Sequence, residues 1–110
     1  MANLRVVGTG VINTGAATTV TIDPEAVCDL YSVEFAVKSG TPLAGTTAVT
    51  AIPKNGTSET VTDVAGAALN IDPTALAGFT IVNRPLKSIT LTPSSWTAGV
   101  AVNVTVWGRM

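Results

Sequence analysis

Val100-Ala101-Val102-Asn103-Val104-Thr105-Val106-Trp107 places valines on one face and Ala101, Asn103, Thr105 and Trp107 on the other. Alternation of this kind marks a β-strand with one face buried, because successive side chains leave a strand on opposite sides. The same period returns upstream. Tyr31, Val33, Phe35 and Val37 make a second stripe, interleaved with Ser32, Glu34 and Lys38, and Val20 with Ile22 closes a third within Thr18-Thr19-Val20-Thr21-Ile22. Weaker alternation marks residues 4–7, 47–52, 59–64, 79–83 and 88–92 as further strands.

Turn chemistry separates these runs at Ser39-Gly40-Thr41-Pro42, Lys54-Asn55-Gly56, Arg84-Pro85 and Pro93-Ser94-Ser95. Gly and Asn tolerate positive φ, while Pro fixes φ and removes a ladder donor. Asn55-Gly56 is a type I′ hairpin signal, which predicts that residues 47–52 pair with residues 59–64. No segment of helical length carries the i, i+3, i+4 pattern. Asp23-Pro24-Glu25-Ala26 and Asp72-Pro73-Thr74-Ala75 carry only a helix-start signal, with Asp capping and Pro first, and predict single turns. The expected fold is all-β, an antiparallel β-sandwich or jelly-roll-like barrel of about seven to nine strands. Residues 16–110 form its single domain. Residues 1–15, with Gly8-Thr9-Gly10 and Asn13-Thr14-Gly15, are expected as an N-terminal arm or an edge strand.

Composition narrows what such a domain does. Hydrophobic residues make up 46% of the chain but aromatics only 5%, so the core is aliphatic and thin, as between two packed sheets. Charged residues are 12%, with a formal net charge of -1, against roughly 25% in an average soluble domain. Weak charge removes the repulsion that keeps molecules apart, so a homo-oligomer is expected. The six Lys and Arg are scattered from Arg5 to Arg109 and form no patch, which argues against direct nucleic-acid binding. Apolar runs fall far short of the roughly 20 residues of a membrane-spanning helix. The start Met1-Ala2-Asn3-Leu4-Arg5 lacks the apolar stretch of a secretion signal, and no membrane partner is expected.

The chain has no His and one cysteine, Cys28. The commonest general base and nitrogen ligand are therefore missing, as are the standard zinc sets and any Ser-His-Asp or Cys-His site. Glu34, Glu59 and Asp63 could act as paired carboxylates by residue type, but Glu34 lies opposite its strand's apolar stripe and reads as a solvated face. Asp23, Asp29 and Asp72 lack the spacing that converges oxygens on calcium and read as caps or turns. Cys28 reads as a small buried apolar residue. The expectation is no enzyme, no metal and no cofactor.

Contact anchors are easier to find. Trp96 lies in a predicted loop, and Trp107 lies on the non-valine face of the last strand. Trp is enriched at interface hot spots, and with Leu4, Arg5 and Arg109 these form the candidate interface residues; the alternative for each Trp is that it caps its own domain's core, evenly balanced for Trp107, while the loop position of Trp96 favours the interface. An alternative is a receptor- or carbohydrate-binding β-module of a tail fibre, with Trp96 and Tyr31 stacking on sugar rings; a tail or connector subunit is another.

Thr19-Val20-Thr21-Ile22-Asp23-Pro24, Gly78-Phe79-Thr80-Ile81-Val82-Asn83-Arg84-Pro85-Leu86 and Val102-Asn103-Val104-Thr105-Val106-Trp107-Gly108-Arg109 together span much of the chain. They resemble small structural proteins of tailed-phage virions, in particular capsid decoration (cement) proteins and head-fibre modules. The resemblance implies a trimeric β-sandwich or jelly roll that is made in the host cytoplasm, resides in the virion, binds the major capsid protein on the particle exterior and stiffens the shell.

Overall fold

The computed structural model describes residues 4–13, 16–42, 44–62, 67–71, 78–82 and 85–109. Among these residues the elements in chain order are β1 (Leu4–Asn13), β2 (Thr18–Thr21), β3 (Leu30–Ser39), β4 (Thr46–Pro53), β5 (Glu59–Thr60), β6 (Phe79–Val82), β7 (Leu86–Ser94) and β8 (Ala101–Arg109). Each alternating run read from the sequence contributes a strand. Sheet A has the order β1-β8-β3-β6 and sheet B the order β2-β7-β4-β5. The pairing is nested: β1 with β8, β2 with β7, β3 with β6 and β4 with β5, all antiparallel. Two further ladders, β3–β8 and β4–β7, join the nested pairs into sheets. One long hairpin, rolled so that alternate pairs fall in opposite sheets, gives this order, and it is the jelly-roll arrangement.

The valine stripe of β8 does what its period predicts. Val102, Val104 and Val106 are buried, and Tyr31 and Val33 of β3 join them from sheet A. Val20, Val49, Ile89 and Leu91 meet them from sheet B and are fully buried. A fully buried aliphatic side chain of this size contributes about 1.5–3 kcal/mol relative to an exposed one, so this shared layer is what joins the sheets. Tyr31 adds a polar link, since its hydroxyl accepts the backbone N–H of Leu86 at 2.8 Å inside the core.

The Gly-rich start forms the edge strand of sheet A, with β1 in register against β8 from Leu4↔Arg109 to Asn13↔Ala101. A Cβ on Gly8 would stand 2.8 Å from Val20 Cγ1 and 2.9 Å from the Thr21 carbonyl, and one on Gly10 would stand 3.0 Å from Val20 Cγ2. The glycines therefore let β1 of sheet A approach β2 of sheet B, closing this side of the sandwich. The free edge of β1 is covered there: Asp23 N donates to Val7 O at 2.8 Å, and Thr18 Oγ1 donates to Val11 O at 2.7 Å. Bonds that occupy edge carbonyls blunt the strand as a template for strand-to-strand aggregation.

Asp23 forms the predicted single turn. Its Oδ1 accepts Glu25 N at 3.0 Å and its carbonyl accepts Ala26 N at 3.0 Å. The Asp72–Ala75 turn lies outside the described residues, as do Asp63 and Arg84. The β4–β5 hairpin exists, but its expected two-residue turn does not: neither Asn55 nor Gly56 has positive φ. Cross-strand pairing begins only at Ala51↔Glu59. The loop is wide because it is held elsewhere. Lys54 N donates to Pro85 O, and the Lys54 ammonium donates to the carbonyls of Pro24 and Ala26 at 3.1 and 2.8 Å.

Candidate interaction surface

An antiparallel sheet that packs on one side turns its other side to water, and that side is ordinarily polar. The outer face of sheet A departs from this. Its register sets Leu4 beside Arg109 and Leu30, then Val6 beside Trp107 and Ser32, then Thr9 beside Thr105 and Glu34, then Val11 beside Asn103 and Ala36. Leu4 is 54% exposed and Val6 43% exposed, while Trp107 is half-buried between its cross-strand neighbours. A bulge after Val6 makes this possible: it turns Val6 outward beside Trp107 and Val7 into the core. Among the described residues of these rows, Glu34 and Arg109 are the only charged side chains.

Trp107 lies half-buried toward one end of the β1–β8 pair, and next to it is a hollow of about 330 Å³ lined by Thr9, Gly10, Val11, Asn103, Val104 and Thr105. Small side chains form its walls, and the inward-facing Gly10 and Val104 leave backbone as its floor. Among the described residues, the buried side-chain polar atom without a hydrogen-bond partner is Trp107 Nε1. Such a donor carries the cost of desolvation without return.

Ion pairs fringe the face at the end of β8. Arg109 grips Asp29 with two hydrogen bonds, Nε to Oδ1 at 2.9 Å and Nη2 to Oδ2 at 3.2 Å, and Asp29 N donates to Arg109 O. The guanidinium holds the Asp29 carboxyl below its usual range. Arg5 points off the face and reaches Asp23 at 3.2 Å. The Glu25 backbone N–H, and then Arg5, hold Asp23 below its usual range too. Both pairs are exposed, so each is worth little in water.

Of the candidate interface residues, the structure brings Leu4, Trp107 and Arg109 onto one face and sets Arg5 at its margin. Trp96 is a correction. It is 7% exposed, and its Nε1 donates to Thr46 O at 2.9 Å and to Thr47 Oγ1 at 3.0 Å. Ser95, with φ of 56°, turns the chain back after β7, and Gly45 leaves room for the ring; a Cβ there would lie 2.6 Å from Trp96 Cδ1. A residue can thus lie in a loop and still cap the core. Tyr31 is fully buried, so neither aromatic is available to stack on a sugar. Val6 and the hollow were missed, because both depend on which strand lies beside β8.

Other chemistry-bearing residues lie apart. Cys28 is buried against Gly108, and burial pushes its thiol up; burial likewise raises the Tyr31 phenol. Glu34 is exposed on the sheet A face, while Glu59 lines a cleft of about 340 Å³ between β5 and β6 with Thr60, Thr80, Ile81 and Leu86. Among the described residues no three His, Cys, Asp or Glu side chains group as for a metal ion, and no helix is long and apolar enough to cross a membrane. No family model and no curated protein matches the chain.

Proposed function

We propose that this chain is a structural assembly module, a phage capsid decoration protein that binds the outer surface of a capsid lattice and stabilises it. The observation that carries the assembly half is the outer face of sheet A, where exposed Leu4 and Val6 flank Trp107 and charge is nearly absent. Apolar side chains left in water at one place mark a contact surface. The capsid half rests on the resemblance of the strand sequences to virion proteins, with the major capsid protein as partner.

A lattice repeats the same site many times, so modest contacts gain through multivalency. A charge-poor contact also depends little on ionic strength, because there is little Coulomb attraction to screen. The test is co-sedimentation of the purified protein with phage heads lacking it, at low and high salt, together with location of its density by electron microscopy. Saturable binding that persists in salt and raises the temperature of head disruption is expected. Absence of binding to heads overturns the decoration reading.

A further inference from the structure

We infer that the outer face of sheet A seats a second copy of this chain, the two copies packing face to face about a twofold axis with Trp107 of each in the hollow of the other. The inference rests on the reading of this face as a contact surface and deepens it by naming the occupant of the face as a second copy.

The first argument is shape. A twofold contact needs a surface that is complementary to itself, so that where residue i meets j, j meets i. Trp107 and the hollow lie on the same strand pair, one on either side of the Thr9–Thr105 row. An axis in the interface, crossing the strands at that row, carries Trp107 of one copy to the level of Asn103 in the other, and the reverse. The Trp107 position and the hollow are exchanged in a single operation, so an indole turned outward from either copy meets the other's hollow.

Hydrogen bonding gives the second argument. Trp107 Nε1 is buried against its own sheet without an acceptor. The hollow is walled by the hydroxyls of Thr9 and Thr105 and the amide of Asn103, all of which can accept. Turning the indole off its own sheet and into the partner's hollow supplies the missing bond.

Area is the third. Three strands of roughly eight residues and a fourth, β6, of four, at about 4.8 Å spacing and about 3.4 Å per residue, give a face of roughly 450 Å². Two such faces exclude on the order of 1,000 Å², close to the lower limit for a specific interface, so the dimer forms in a concentration-dependent way. The same axis brings the two Glu34 side chains, which lie in the Thr105 row on β3, to one side of the interface. Their repulsion opposes association.

Sedimentation equilibrium of the full chain over a concentration series tests this, with circular dichroism to verify folding. The wild type is expected to dimerise, with Trp107 emission shifting to the blue as the dimer forms. Trp107→Ala removes the indole and Asn103→Arg blocks the hollow from an exposed position; each weakens association by roughly tenfold or more, the loss typical of a central Trp contact. Glu34→Gln tightens it at low salt. A wild type that stays monomeric at the highest concentrations, a trimer, or a dimer that both variants retain overturns the inference, and an unchanged or weaker Glu34→Gln dimer overturns the axis. Head binding is read separately. Head binding by a monomer through Trp107 would leave decoration standing and remove the dimer, whereas a dimer that ignores heads does the opposite.

Discussion

Trp96 and Tyr31 each combine a buried ring with a buried hydrogen bond, and the two contributions separate by substitution. Trp96→Phe keeps much of the ring but removes the Nε1 bonds to Thr46 O and Thr47 Oγ1, at a cost of about 1–3 kcal/mol. Trp96→Ala also opens a cavity, and the cost rises to about 3–5 kcal/mol. Urea unfolding should place the two variants in that order, and equal midpoints would mean that the ring contributes nothing beyond its donor. Tyr31→Phe leaves the Leu86 N–H buried with no acceptor. It is expected to lose about 1–3 kcal/mol with little change of volume, and hydrogen exchange at Leu86 should accelerate. Unaltered protection there would show that another acceptor takes over.

The elements were largely legible because alternation is a local property. β3, β4, β7 and β8 each carry an apolar stripe that faces the core wherever the sandwich covers it, so their existence followed from period two. β1 was less legible, since glycines weaken a strand pattern; Gly8 and Gly10 make sense only once β2 is known to lie against them. The interface was half legible for the same reason. Trp107 could be placed on an outer face from β8 alone, but its neighbour Val6 lies about a hundred residues away and enters through pairing. Gly8→Val tests the β1–β2 closure: the added side chain meets Val20 and the Thr21 carbonyl, and overpacking of this kind costs roughly 1–3 kcal/mol. A variant as stable as wild type would show that β1 can move away from β2 freely. Acid tests the fringe that ties the strand ends. Asp29 and Asp23 have folded-state pKa values below the unfolded value, so their contributions are present above about pH 4 and fade as pH falls through the lower folded values. Asp29→Asn should therefore differ less from wild type in the acid limb of a stability–pH curve than at neutral pH. A gap that widened in acid would refute the pairing.

Nested pairing makes the molecule's long-range order unusually demanding. Leu4 pairs with Arg109, Val20 with Ile89 and Tyr31 with Ile81, and only β4 with β5 is local. Each outer pair closes a longer loop than the pair inside it, and loop closure must be met before the contacts repay it. Domains dominated by such non-local pairing refold in about milliseconds to seconds. The nesting also proposes an order, in which β4, β5 and β7 associate early and β1 adds to β8 late. If so, Val49→Ala, in the fully buried centre of β4, should mainly slow folding, while Gly8→Val on β1 should mainly speed unfolding. Chevron plots of both variants measure the partition directly. The reverse result, with the β1 variant slowing folding and the β4 variant sparing it, would mean that the chain ends meet first and that the roll forms from the outside inward.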